Sequence, residues 1–226
     1  MLTIIIKRND EPTVIHLTQH AIMKELNAIA DAEILLSDSW TEGLKKVRTP
    51  YVCLVEADCV LSSNYLTSNY GLMKKRSTGS PKGGGALRTA MLASCLGLKA
   101  FDQRVYNYHV ELLATPNNLR LKTFQARPYR EKHNMKVYPV QIGFVPGAIL
   151  RYSSIKDGID RIKWDQPNLV KLSADVSLWL WDTNRRVEMN PNTTYVSNQE
   201  YLGDPPPYHL VVPDKVKNIY HQEALV

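Results

Sequence analysis

The chain has 226 residues, 44% of them apolar and 22% charged, values that exclude a disordered or fibrous protein and allow one α/β domain with a sizeable core. Three cysteines (Cys53, Cys59 and Cys95) exclude a disulfide framework, and no apolar run reaches the ~18 residues of a membrane span, so the sequence reads as a cytoplasmic protein without signal peptide or membrane segment. The net charge is +6, yet residues 74–136 hold 13 Lys/Arg against 3 Asp/Glu, and this basic middle between acidic flanks suits contact with an anion.

The first third alternates apolar runs with amphipathic ones. Leu2 to Ile6 is a β-branched run without polar alternation, the pattern of a strand covered on both faces, and it runs directly into Asn9, Asp10 and Glu11. From Thr13 the period becomes helical, with Ile15, Ile22, Leu26 and Ile29 on one face. Glu33 to Leu36 is a second strand ending in Ser37, Asp38 and Ser39. Ser39 and Glu42 form a capping box that starts a short helix near Trp40. Tyr51 to Val55 is a third buried strand, ending in Glu56, Ala57 and Asp58. Ser62 or Ser63 is placed to cap the next helix, with Leu66, Tyr70 and Met73 facing inward.

This order, β-α-β-α-β-α, predicts a doubly wound α/β sheet, in which ligands bind outside the carboxyl ends of the strands. Three successive strand ends present carboxylates or an amide there. Further along, residues 76–85 form a Gly/Ser loop, 86–98 read as a helix, and 136–138 are strand-like. Gly147 to Arg151 reads as a strand leaving a glycine turn. Ser173 to Asp182 reads as a helix with Asp175 near its first turn, and Pro205 to Pro207 in the tail cannot be a helix or a central strand. No repeat and no second domain boundary is visible.

Several chemistries are absent from the pattern. No G-x-G-x-x-G follows the first strand, and there is no P-loop, no G-x-S-x-G elbow and no Cys/His metal cluster. Glu56 and Asp58, two residues apart at a strand end, are instead suited to share a hard divalent cation, Mg2+ or Mn2+, whose shell substrate phosphates complete. Such a metal neutralises a diphosphate leaving group. Asp38, one strand over, is placed to accept hydrogen bonds from a base or ribose.

Taken in order, these residues resemble the GT-A-fold glycosyltransferases, family 2 in particular. The resembling segments are Asn9 to Glu11 after strand one, Asp38-Ser39 after strand two, and Thr49 to Asp58 closing strand three like a D-x-D. Downstream, Gly147 to Arg151 is similar to the acceptor-side glycine-apolar-Arg segment. Ala174-Asp175 is similar to a Glu-Asp helix start, and Asn190 to Val196 to the strand after it. The resemblance implies a single-domain GT-A, Rossmann-like and mostly parallel sheet flanked by helices. It divides the chain into a nucleotide-binding half (1–75), an acceptor and catalytic half (76–204) and a tail (205–226). It implies metal-dependent, inverting transfer of a sugar from a nucleoside diphosphate sugar, a UDP-sugar first, to an acceptor hydroxyl. Asn9, Glu11 and Asp38 then position the nucleotide, Glu56 and Asp58 bind the metal, Gly147 and Arg151 face the acceptor, and Asp175 is the base. Glu56 stands where the pattern has its first Asp, Ala174 where it has Glu, and the expected late histidine is missing at Ser197-Asn198, which leaves His209 or His221 as candidates. The alternatives are a nucleotidyltransferase and a catalytically degenerate binding protein on the same fold. An anionic acceptor (nucleic acid, phosphorylated carrier or protein) fits the basic stretch, where Lys74, Lys75, Arg76, Lys82 and Arg88 have no acid between them.

Overall fold

The computed structural model describes residues 1–8, 19–20, 22–27, 29, 31–57, 59–62, 64–78, 88–99, 105–115, 118–128, 137–139, 143–197 and 209–210. Strand β1 (Leu2–Lys7) is the hub of the N-terminal part. It lies between β2 (Ala32–Ser37) and β3 (Tyr51–Glu56), parallel to both, with Leu2 opposite Ala32 and Tyr51, and Lys7 opposite Ser37 and Glu56. Leu2 to Ile6 are fully buried, as a strand covered on both faces requires.

The cover comes from helices. Residues 22–26 are helical, with Ile22 and Ile29 buried as expected; Ile15 lies outside the described residues. Helix α1 (Trp40–Lys46) starts at Ser39, whose hydroxyl accepts the Glu42 amide at 3.2 Å. It presses Gly43 onto β1 so closely that a Cβ there would stand 2.6 Å from Ile5 Cγ2. Helix α2 (Tyr65–Thr78) follows the two-residue strand β4 (Val60–Leu61) and buries Leu66, Tyr70 and Met73. The Glu25 carboxylate closes its first turn, accepting the Tyr65 and Leu66 amides at 3.2 and 2.8 Å; Ser62 contributes its carbonyl, and Ser63 lies outside the described residues. Of the expected Gly/Ser loop, residues 76–78 are the last turn of α2, and the rest lies outside them.

The segment expected as a helix over 86–98 is instead strand β5 (Thr89–Lys99). Its Ala, Met and Leu residues favour a helix in isolation, but Thr89 to Ser94 are all at most 4% exposed at the centre of the sheet, and burial between strands overrides that preference. Among the described residues eleven strands join one sheet, whose path runs β11-β7-β6-β5-β9-β3-β1-β2. The remaining strands are β6 (Val105–Thr115), β7 (Asn118–Pro128), β8 (Tyr138–Pro139), β9 (Ile149–Arg151), β10 (Arg186–Ser197) and β11 (His209–Leu210). β10 lies parallel on β5 and also pairs with β4 and β8.

The fold is α/β, and the sheet is mixed. The parallel expectation holds for β2-β1-β3 and returns at β5–β10, while the other pairings are antiparallel. Antiparallel neighbours need only short connections, such as that between β6 and β7, whereas the sequence signature reported only the N-terminal crossovers. A one-turn helix, α3 (Tyr152–Ile155), follows β9, and the next helix, α4 (Leu169–Asp182), is longer than expected. Asn168 caps it, accepting the Lys171 amide at 2.9 Å, and Leu169, Leu172, Ser173, Val176, Ser177 and Leu180 form its buried face. Asp175 therefore sits in the second turn and not near the first, because the start is set by Asn168 and not by the carboxylate.

Candidate functional site

The register brings Ser37, Lys7 and Glu56 into one line across the carboxyl ends of three adjacent parallel strands. Residues paired this way point to one face of the sheet. The Lys7 ammonium lies 3.1 Å from an Asp165 carboxylate oxygen and 5.3 Å from the centre of the Trp40 ring.

Asp165 is a heavily bonded carboxylate at this end. It accepts the Trp40 and Thr41 amides at 2.8 and 3.1 Å, and the Ser39 and Thr41 hydroxyls at 2.6 Å each. Burial alone would raise its pKa. The hydrogen bonds from Ser39, Thr41 and the Trp40 and Thr41 amides outweigh burial and hold it well below the usual carboxylate range. It arrives from the loop before α4 and clasps the first turn of α1, more than 120 residues away. Nothing in the local sequence singled it out; only its place just before Gln166-Pro167-Asn168, the lead-in to α4, was visible.

Glu56 ends β3 with both its main chain and its carboxylate engaged. Its amide donates to the Tyr195 hydroxyl at 3.1 Å, and that hydroxyl donates to Glu56 Oε2 at 3.0 Å. Tyr195 is 1% exposed, on β10, and packs against Tyr65 and Phe144 with ring centres 6.4 and 6.1 Å apart. Burial, then the neighbouring Cys59 and Glu56, push its hydroxyl well above the ordinary tyrosine pKa, so it stays protonated.

Gly147 lies beside this pair. Its φ is +78°, its amide donates to the Leu54 carbonyl at 2.7 Å, and its carbonyl accepts the Tyr65 hydroxyl at 2.9 Å. A Cβ at Gly147 would come within 2.3 Å of the Tyr195 ring. Arg151, expected beside it on the acceptor side, is carried away from Glu56. β9 runs antiparallel to β3, so Arg151 stands opposite Tyr51 at the other end of the strand.

Asp38 is exposed at the end of β2, with Arg8 3.5 Å away. Asp175 is half-buried, paired with Lys171 and bonded by Gln166 at 3.0 Å; Gln166 adjoins Asp165, which ties this carboxylate to the strand-end side of the molecule. His209 lies on β11, five strands from β3 along the sheet path, and the described backbone does not bring it to Glu56. Asn9, Glu11, Asp58 and His221 lie outside the described residues. Of the basic cluster, Arg76 is spent on a buried partner while its own side chain reaches solvent. It grips the buried Glu188 with two hydrogen bonds at 2.6 and 2.8 Å, and Glu188 also accepts from Thr89 at 2.6 Å. Lys74 and Lys75 are exposed, Lys74 over the Tyr70 ring, Arg88 is exposed, and Lys82 lies outside the described residues. Among the described residues no group of three or more His, Cys, Asp or Glu could hold a metal, and no helix is long and apolar enough to cross a membrane.

No protein-family model matches the sequence, and no curated protein matches it significantly. Solved structures do match in fold. GalNAc-T7 with UDP, GalNAc and Mn2+ aligns with a TM-score of 0.50 and 8% identity, over 88% of this chain and 44% of that one. Residues 1–349 of S. aureus TarS with UDP-GlcNAc align with a TM-score of 0.51 and 9% identity, over 99% of this chain and 65% of that one. The chain thus spans less than two thirds of either structure. Both are GT-A-fold glycosyltransferases, and the chain has the GT-A fold.

Proposed function

We propose that this chain is a glycosyltransferase that takes a nucleoside diphosphate sugar, a UDP-sugar first, and passes the sugar with inversion to an acceptor hydroxyl, with a divalent metal at Glu56 and Asp58. The observation that carries the reading is the held carboxylate of Glu56, in register with Lys7 and Ser37 at the strand ends of a GT-A fold. The structures similar to it in fold contain UDP with Mn2+ or UDP-GlcNAc.

The donor set fits a hard cation. Glu56 supplies carboxylate oxygen, the sequence puts a second carboxylate two residues on, and Mg2+ or Mn2+ ordinarily completes such a pair with water and substrate phosphates. Bound there, the metal supplies positive charge against the leaving diphosphate. The chain's own residues do the rest. Asp38, Asn9 and Glu11 orient the nucleotide. Lys7, fixed by Asp165 and Trp40, sets an ammonium donor at the strand ends. Gly147, lacking a Cβ, leaves room for the Tyr195 ring whose hydroxyl bonds Glu56. Asp175, steadied by Gln166 and Lys171, takes the proton from the attacking hydroxyl. Residues 1–75 serve the donor and 76–204 the acceptor; the exposed cations Lys74 and Lys75, at the boundary of the two halves, and Arg88 beyond it suit an anionic partner.

The test is release of UDP from a panel of UDP-sugars in Mn2+. Turnover that stops in EDTA supports the reading. Pyrophosphate release from a nucleoside triphosphate and a sugar phosphate would make the protein a nucleotidyltransferase, and donor binding without turnover would make it a degenerate binding protein. Asp175→Asn should keep donor affinity and lose transfer, because the amide cannot accept the proton.

A further inference from the structure

The second half of β10 leaves its ladder with β5 and rejoins it. Asn190 stands opposite Ser94 and Thr194 opposite Cys95, so residues 191–193 fall outside the pairing. An offset by an odd number of residues turns every later side chain to the other face of the sheet. Tyr195 consequently shares a face with Asn190 and reaches Glu56; in an unbroken strand it would point away.

A buried polar network holds that offset in place. The Asn69 side chain, from α2, donates to Ser94 Oγ at 3.0 Å and accepts from Asn190 Nδ2 at 2.9 Å and Thr193 Oγ1 at 3.1 Å. Ser94 and Thr193 share a further hydrogen bond of 2.8 Å, and Asn190 Oδ1 accepts the Asn192 amide at 3.1 Å. Asn69 and Asn190 are fully buried, and Ser94 and Thr193 nearly so. Four polar side chains in a core are costly unless mutually satisfied, and here they bond one another around the looped-out residues.

We propose that Tyr195 is the positioning residue of the metal-binding carboxylate, aiming Glu56 through its hydroxyl, and that the Asn69–Ser94–Asn190–Thr193 network exists to put Tyr195 there. The inference rests on the donor-site reading above. Tyr195 touches neither nucleotide nor sugar in this account. Its hydroxyl spans the Glu56 amide and carboxylate, fixing the side-chain torsions that an unbonded glutamate, one methylene longer than aspartate, would sample. This is how a Glu serves at a position where the family pattern has a shorter Asp. Partners that orient a metal ligand in this way typically change metal affinity by about 10- to 100-fold when removed.

The experiment uses the 226-residue chain and titrates Mn2+ at fixed UDP, reading UDP uptake by calorimetry. Tyr195→Phe keeps the ring in its core and deletes the hydroxyl. It should raise the half-saturating Mn2+ concentration about tenfold while the saturated UDP stoichiometry stays at wild type. Tyr65→Phe is the matched control: it removes a buried hydroxyl from the Gly147 carbonyl in the same core, and should lower the unfolding midpoint without moving the Mn2+ requirement. Thr193→Val, which takes one hydroxyl from the network, should shift the Mn2+ requirement in the same direction as Tyr195→Phe by a smaller factor. A Tyr195→Phe protein with wild-type Mn2+ dependence overturns the inference and leaves the donor site standing. Equal shifts in Tyr195→Phe and Tyr65→Phe also overturn it, because general loosening would then explain both. Wild-type protein that takes up no UDP at any Mn2+ concentration overturns the inference together with the reading it rests on.

Discussion

Replacing Asp165 tests whether the strand ends are held by a carboxylate that belongs to a distant loop. Asp165→Ala removes the acceptor for two α1 amides and for the Ser39 and Thr41 hydroxyls, at 2.6–3.1 Å, and the ion partner of Lys7. A hydrogen bond to a charged group contributes about 1.5–3 kcal/mol, and loss of a helix cap costs about 1 kcal/mol. The side chain is 31% exposed, so water replaces part of what is lost, and about 3 kcal/mol is the expected total. For a chain of this size that lowers the melting midpoint by roughly 6–12 °C. The dependence on pH gives a second, independent readout. The folded-state pKa of Asp165 is depressed, so its contribution is present above the unfolded carboxylate value near pH 4 and fades as pH falls through the lower folded one. The gap between wild type and Asp165→Asn, followed by urea unfolding, should be full near neutrality and shrink below about pH 4. A midpoint within about 1 °C of wild type near neutrality, or a gap indifferent to acid, would refute the reasoning.

Three further substitutions separate structural roles from donor contacts. Gly147→Ala combines a positive φ with a methyl group driven into Tyr195 and the Tyr65 hydroxyl, and should cost about 3 kcal/mol or more in urea unfolding. Glu188→Ala strands Arg76 and Arg186 and orphans Thr89; because both arginines reach solvent, about 3 kcal/mol is expected, the low end for a broken buried pair. Asp38→Ala should change stability by less than about 0.5 kcal/mol, since its pair with Arg8 is exposed, yet weaken UDP binding roughly tenfold in calorimetry. Unfolding of Asp38→Ala would instead assign that residue to the fold.

Legibility in the sequence followed the range of the interactions. β1, β2 and β3 were readable because burial on both faces leaves uninterrupted apolar runs, and their ends were readable because polar residues must begin where the sheet stops. Ser39 declared α1 through a local cap. β5 was misread because Ala, Met and Leu also suit a helix, and only its position between β9 and β10 decides the matter. Asp165, Glu25 and Tyr195 were silent for the same reason: each acts on a residue 40 or more positions away, on α1, α2 and β3. Arg151 is close in sequence to Gly147, yet antiparallel pairing sets it opposite Tyr51, at the other end of β3, a separation the sequence alone does not show. The basic stretch was legible as charge, but Arg76 is paired with the buried Glu188, a partner more than a hundred residues on.

The central claim is that Glu56 and Asp58 hold a metal against a nucleoside diphosphate. Calorimetric titration of UDP into wild type and Asp58→Asn, each in Mn2+ and in EDTA, tests it most directly. The account predicts one saturable site in wild type with Mn2+, lost in EDTA and lost in Asp58→Asn while that variant keeps the wild-type melting midpoint. UDP binding that persists unchanged in EDTA or in Asp58→Asn, or no binding by wild type in Mn2+, would contradict it.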